Sequence, residues 1–342
     1  MAQRFQSVFL RAQSESEVNG FISRHLQPDE DFSSSCGVAV DRLVRYLHSV
    51  QTELPIKVRS VIKGGSLGKG TALKNKSDID CVVFINYDGG IQTSIQAMSG
   101  PWLQDIIEEI RHSLGNWNPL PEFEVVGKTI HAVKLRYKKG SFTCDVDLLP
   151  AIDILKKGTP QQVYYAMKSL SPHLREYCSA PLVQLQVEFV KCQQPVVKDL
   201  IRFVKHWKNE YSEKVFREFA PPHARLPSSY LLELLCIKVW EMVGRPSSMD
   251  KRQGLKAVMS LLTERRHHVH RVEWSAFYDP SKYPLKATDH LSVRDPANPF
   301  NDLCSDFDAF SWNTIDYMKI KTLKAPLFDG LRMDPPWNIF RD

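Results

Sequence analysis

The sequence predicts an α+β protein of two lobes, a mixed or antiparallel sheet lobe with helices followed by a mostly helical lobe. Three observations carry this expectation. Strand-like apolar runs and alternations appear early and stop at Pro150. Two of them are joined by the short connection Lys138-Lys139-Gly140-Ser141, which favours antiparallel pairing over parallel crossover units. Beyond roughly residue 155 the apolar residues recur at helical spacing, punctuated by Pro221-Pro222, Pro227, Pro280, Pro284, Pro296 and Pro299. The expected units are therefore 1–155 and 156–342, with the cleft between them as the default site.

Each element has its own warrant. Val18 to Leu26 and Val38 to Val50 show helical spacing, with Val40, Leu43, Leu47 and Val50 on one stripe. Leu54 to Lys63 alternates as a strand and feeds the glycine-rich loop Gly64-Gly65-Ser66-Leu67-Gly68-Lys69-Gly70. After a basic connector (Lys74, Lys76), Asp78-Ile79-Asp80 opens the buried-strand run Cys81 to Ile85, and Tyr87-Asp88-Gly89-Gly90 is a turn. Trp102 to Leu114 is an amphipathic helix with Leu103, Ile106, Ile107 and Ile110 inward. Strands follow at Phe123 to Val126, Thr129 to Tyr137 and Phe142 to Leu149, the last ended by Pro150. Helices are expected at Tyr164 to Met167, Leu182 to Phe189, Lys198 to Tyr211, Tyr230 to Val243 and Gly254 to Thr263.

Composition narrows the class. The 342 residues are 43% hydrophobic and 25% charged, enough for sizeable cores and against global disorder. A net charge of +6 and a pI near 8.8 tolerate a nucleic-acid partner without requiring one. The seven cysteines are scattered with no CxxC pair, which disfavours both a disulfide scaffold and a thiolate metal site. No apolar run approaches the ~18–20 residues of a membrane span. The simplest expectation is a soluble, cytoplasmic, monomeric protein with no membrane partner.

The chemistry concentrates in the glycine loop and the strand after it. Asp78 and Asp80, at i and i+2 on a strand, project from one face side by side. Carboxylates so close repel unless a cation lies between them. The preceding loop offers backbone N–H groups, a hydroxyl and a lysine, the groups that hold phosphate. The strand Phe142 to Leu149 carries a second pair, Asp145 and Asp147, either of which completes a three-carboxylate cluster if the two strands are neighbours. Hard oxygen donors favour Mg²⁺, or Mn²⁺, over zinc. An isolated D-x-D is most often a solvated strand end; the ordered set of loop, connector, D-x-D and second acidic strand is what points to metal-dependent nucleotidyl transfer. On the Lys198 to Tyr211 helix, Leu200, Val204, Trp207 and Tyr211 form the core stripe, and Lys198, Arg202 and Lys205 a basic one. That second stripe is either a solvated face or, toward a triphosphate, a phosphate-binding one.

These blocks resemble the 2′-5′-oligoadenylate synthetase family of double-stranded-RNA-activated, template-independent nucleotidyltransferases. The resemblance rests on Val61 to Thr71, Ser77 to Asp80 with Val82-Val83-Phe84, Asp147 to Asp153, Leu200 to Trp207 (with Lys205-His206-Trp207), Leu226-Pro227 with Tyr230 to Leu235, and Asp295 to Pro299. It implies a bilobal nucleotidyltransferase fold and two Mg²⁺ ions held by Asp78, Asp80 and Asp147, with Asp145 secondary. It implies nucleotide contacts at Gly65, Ser66, Gln186, Arg202, Lys205 and Tyr230, the last stacking on a base. It also implies a duplex-RNA surface opposite the active-site mouth with Lys63, Lys69 and Lys191 on it. ATP is the implied substrate, and RNA would bridge the lobes and bring the aspartates into register.

The chain departs from the family pattern at Leu67 (usually Ser), Ser229 (usually Gln), Val187 (an RNA-contacting arginine) and Val196-Val197 (a lysine). These departures put nucleotide choice, product linkage and RNA affinity in question. The alternatives are a cyclic-GMP–AMP-synthase-like receptor making a cyclic dinucleotide, a catalytically weak RNA-binding relative, and a poly(A)-polymerase-like transferase. No zinc thumb of histidine and clustered cysteines is present, and His267, His268 and His270 sit in a basic segment without acid or thiol.

Overall fold

A computed structural model describes residues 14–49, 57–74, 78–116, 120–218, 224–263, 271–285 and 290–339, with the backbone alone at 116, 173 and 211–218. Lys76, Ser77, the side chain of Tyr211, and the histidines of the 264–270 segment lie outside the described residues.

The N-terminal lobe is built on a mixed five-stranded sheet of order β1-β2-β5-β4-β3, comprising β1 (Val58–Lys63), β2 (Ile79–Ile85), β3 (Phe123–Lys128), β4 (Val133–Lys139) and β5 (Phe142–Ile152). The pair β2/β5 is parallel and every other pair antiparallel. Burial on both faces explains the unbroken apolar run of β2. Cys81, Val83 and Ile85 face one core with α2 (Glu30–Ser49) and α5 (Pro101–Asn116). Val82 and Phe84 face another with α4 (Ile91–Met98), α6 (Pro160–Lys168) and α8 (Val183–Lys191).

The strand after the hairpin runs three residues longer than expected. Pro150 does not end β5, which continues to Ile152 with Pro150 opposite Val83 of β2. The β4 partner stops opposite Leu148. Beyond that point β5 has a free side, where a proline without an N–H is tolerated.

The C-terminal lobe packs α9 (Pro195–Glu218), α10 (Ser229–Met242) and α11 (Lys251–Leu262) with α12 (Ala309–Leu323). In α9, Val197, Leu200, Ile201, Phe203, Val204 and Trp207 are buried, and the Trp207 Nε1–H donates to Thr322 Oγ1 of α12 at 2.7 Å. Ser228 caps α10 by accepting from Leu231 N, where the Leu-Pro-Ser-Ser segment precedes the helix. The expected first unit, 1–155, includes one segment that belongs to the other lobe. Val18 of α1 (Glu15–Phe21) and Ile22 and Leu26 of the π-helical turn after it are buried among α9, α10 and α11. Two small elements the sequence pattern missed, β6 (Arg271–Val272) and β7 (Ser292–Val293), pair in parallel and align the Asp295 segment. A short helix, α7 (Pro172–Glu176), precedes α8.

Candidate active site

The glycine segment is not an open loop. Gly65–Lys69 forms a single helical turn, α3, between Gly64 and a left-handed Gly70 (φ 72°). Two of its glycines are required by contact. Gly65 has φ +51°, and a Cβ there would lie 1.6 Å from Asp80 Oδ2. A Cβ at Gly68 would lie 2.1 Å from the Lys63 carbonyl oxygen. The Gly64 N–H donates to the Asp80 carbonyl at 2.8 Å, so α3 is pinned directly over the start of β2.

Parallel pairing places Asp80 directly opposite Asp147, and antiparallel pairing places Asp147 directly opposite Lys134 of β4. One rung further out, Asp145 lies opposite Arg136. Lys134 Nζ donates to both oxygens of Asp147, at 2.9 and 2.8 Å, and Arg136 Nε donates to Asp145 Oδ1 at 2.8 Å. Burial, then Asp147 and Asp78, push the Asp80 carboxyl up to about 6. Burial, then Asp145 and Asp147, push Asp78 upward as well. This mutual repulsion among oxygen donors fits a divalent cation of the Mg²⁺ or Mn²⁺ class. Among the described residues, however, no three acid, histidine or cysteine side chains converge as a ready-made metal cluster. Lys134 holds the third carboxylate instead.

Five of the remaining expected site residues, Lys69, Gln186, Arg202, Lys205 and Tyr230, make polar contacts across the lobe interface. Glu233, in the apolar run Leu231 to Leu235 of α10, is 1% exposed. It pairs with Lys69 Nζ (3.1 Å) and Lys205 Nζ (3.2 Å) and accepts from Thr71 Oγ1 at 2.7 Å. Burial acts to raise its carboxyl, but the two ammonium groups and Thr71 outweigh it and hold the group below the usual range. Lys205 also donates to the Thr71 carbonyl at 3.1 Å, and burial draws its ammonium below the usual lysine range. The Lys69 ammonium lies 3.8 Å from the centre of the Tyr230 ring. The Tyr230 hydroxyl donates to Asp295 Oδ1 and Gln186 Nε2 donates to Asp295 Oδ2, both at 2.8 Å. Arg202 donates to the carbonyls of Gly70 (2.7 Å) and Ala72 (3.2 Å) and to Asp199.

One expectation is corrected here. Lys69 was expected on the outer RNA surface; it is buried between Glu233 and Tyr230, because α3 turns its last residue toward α10. Lys205 and Arg202, the implied phosphate contacts, donate to backbone carbonyls of the α3–β2 connection. Lys63 and Lys191 are exposed, and Gly65 and Ser66 are half-buried in α3. Among the departures, Leu67 packs against the sheet core and Ser229 is exposed. Val187 and Val197 are buried, and Val187 borders Gly68.

Four residues were missed as participants. Glu233 had a readable signal, since a charge inside the apolar run Leu231 to Leu235 needs partners. Lys134-Leu135-Arg136 had one too, a basic alternation matching the acidic one of β5. Asp295, fully buried and bonded also by the Ala297 N–H (2.8 Å) and Asn301 Nδ2 (3.3 Å), is placed by tertiary contacts alone. A cavity of about 660 Å³ is lined in part by Arg175, Asn301, Phe307 and Trp312 and meets the Asp295 network at Asn301.

A family profile described as 2'-5'-oligoadenylate synthetase 1, domain 2, C-terminus, matches residues 157–341. The chain belongs to the 2′-5′-oligoadenylate synthetase family. A nucleotidyltransferase-domain profile matches residues 43–163. The chain is 27% identical over 353 residues to the 2'-5'-oligoadenylate synthase 2 of Mus musculus, a match covering 94% of this chain and 45% of that protein. The chain thus spans under half of that relative. It is 28% identical over 312 residues to the 2'-5'-oligoadenylate synthase 1A of Rattus norvegicus, covering 85% of this chain and 84% of that one. A mouse relative named inactive 2'-5'-oligoadenylate synthase 1B is also 28% identical, over 340 residues (93% of this chain and 86% of that protein). Among solved structures, the E. coli MS115-1 CdnC:HORMA-deltaN complex contains a chain of the same fold, with a TM-score of 0.60 at 16% identity, covering 92% of this chain and 97% of that one. This oligoadenylate synthetase family member thus carries a nucleotidyltransferase-type domain over residues 43–163. Among its described residues no helix is long and apolar enough to cross a membrane.

Proposed function

We propose that this chain joins ATP units into 2′-5′-linked oligoadenylates with release of pyrophosphate, and that double-stranded RNA stimulates it. The observation that carries the reading is the register of Asp80 against Asp147 on adjacent parallel strands, beneath a glycine turn whose Gly65 admits no side chain. Asp78, Asp80 and Asp147 would hold the divalent cations. When bound, those cations neutralise the triphosphate and activate the attacking hydroxyl. Gly65 and Ser66 of α3 would contact the donor triphosphate. Tyr230, tied by its hydroxyl to Asp295, offers an oriented ring for base stacking, and Gln186 shares the same anchor. The network of Lys69, Glu233 and Lys205 couples α3, and through it Asp80, to the helical lobe. Duplex RNA bridging the lobes would act through that coupling, as a population shift toward a closed site. Cytoplasmic location belongs to the same proposal.

A second reading, a catalytically inactive RNA-binding relative, is favoured by the Lys134 clamp on Asp147 and by the similarity to a protein named inactive. Incubating the protein with all four NTPs, Mg²⁺ and duplex RNA, with products resolved by mass and nuclease sensitivity, separates the readings. Linear 2′-5′ adenylates are expected. A cyclic dinucleotide would replace the product assignment, and no product in any condition would leave the inactive reading standing.

A further inference from the structure

We propose that Lys134 is a built-in counter-ion that occupies the third metal-binding carboxylate in the resting protein and must release it before a divalent cation can be held there. The inference rests on the metal-dependent reading above and assigns a residue to it. Asp80, Asp147 and Lys134 form one rung across three adjacent strands, so the ammonium belongs to the site by register. It bonds to both Asp147 oxygens, at 2.9 and 2.8 Å, and so sits astride the carboxylate. A small divalent cation takes carboxylate oxygens at ~2.0–2.2 Å. An ammonium astride the same two oxygens competes with it for their lone pairs and repels it.

The contact is built to be reversible. The Lys134 side chain is 42% exposed, so its ammonium can move to water without entering a buried environment. Exposed ion pairs are weak, which lets a dication win once the other two aspartates are positioned to share it. The neighbouring rung supplies an internal control. Arg136 and Asp145 make the same kind of cross-strand pair, at 41% and 49% side-chain exposure, one rung further from Asp80. If Lys134 merely braces the β4–β5 hairpin, the two pairs are equivalent. If it guards the metal site, they are not.

Mn²⁺ binding to the full chain, without nucleotide or RNA, decides between these, read by calorimetry or by loss of the free-ion electron paramagnetic resonance signal. Lys134→Met is expected to tighten Mn²⁺ binding about three- to fivefold, the scale of one exposed ion pair. Lys134→Arg, which keeps charge and pairing, should stay within twofold of wild type, and so should Arg136→Met. A thermal melt verifies folding, and Lys134→Gln substitutes if Lys134→Met does not fold. Unchanged or weaker binding in the Lys134 variant overturns the proposal, as does an equal gain in Arg136→Met. If Mn²⁺ binds wild type and product forms while Lys134→Met changes nothing, the counter-ion role alone falls. If Mn²⁺ binds no variant, the metal reading falls with it.

Discussion

Gly65 sets the geometry of the site at the scale of single residues. Its backbone is left-handed and its Cα faces the Asp80 carboxylate with no room for a methyl group. Gly65→Ala is expected to lower stability by about 1–2 kcal/mol from backbone strain and to displace Asp80. Activity should fall far more than the melting temperature does; a variant of normal activity would refute the contact. Asp80 itself is held in an unfavourable charged state. With its folded value pushed up to about 6, above the unfolded value near 3.8, the native state binds more protons than the unfolded one between those values. Its charge therefore opposes folding above pH 6, and the penalty is relieved as pH falls toward 4. Asp80→Asn should raise the melting temperature of the metal-free protein at pH 7.5, with the gain vanishing near pH 4 and with nucleotidyl transfer abolished. A gain of equal size at both pH values would contradict the electrostatic cause.

At the scale of elements, one buried carboxylate joins three helices. Glu233 of α10 receives Lys69 from α3 and Lys205 from α9, together with the Thr71 hydroxyl. Removing the acid leaves two ammonium groups buried without a counter-charge, a loss of about 3–5 kcal/mol for a pair broken in this way. Glu233→Ala is thus expected to lower the melting temperature sharply, and a Glu233→Gln variant, which keeps the Thr71 acceptor, to lose less. Equal and small losses in a denaturant titration would show that the ion pairs contribute little. The same network limits what Lys69 can report. Lys69→Glu would set two carboxylates against each other in the interface, so loss of RNA response in that variant would not demonstrate an RNA contact.

At the scale of the whole molecule, the exposed basic residues that remain as RNA candidates are Lys63, at the end of β1, and Lys191, at the end of α8. Lys63 ends a strand of the sheet, and Lys191 ends the helix that packs on that sheet, next to α9, whose Lys198 donates to the Lys191 carbonyl. Backbone recognition of duplex RNA is salt-dependent and largely sequence-independent. A Lys63→Glu, Lys191→Glu double variant is expected to bind duplex RNA more weakly, with a shallower dependence of log affinity on log salt. Its metal-free melting temperature should stay close to that of wild type, because neither ammonium is buried. An unchanged salt slope would remove both residues from the RNA surface.

Much of this was legible in the chain because it depends on short-range periodicity. The D-x-D at the start of an apolar strand, the hairpin before β5, the helical stripe of Leu200, Val204 and Trp207, and the family blocks are local patterns, and each leaves its period in the sequence. Spacing alone could not separate Asp145 from Asp147, and the family resemblance favoured Asp147. The register then placed Asp147, not Asp145, opposite Asp80, because the β2/β5 pairing is a long-range choice. Whether a lysine faces a ligand, solvent or a buried glutamate is likewise invisible in local spacing: Lys69, expected on the RNA surface, and Lys205, expected at the triphosphate, both meet Glu233. The sequence by itself determined the fold class, the strands and the acids that make metal chemistry possible. The tertiary structure alone decided which charges meet, since Lys134 reaches Asp147, and Glu233 gathers Lys69 and Lys205, only when segments distant in the chain are brought together.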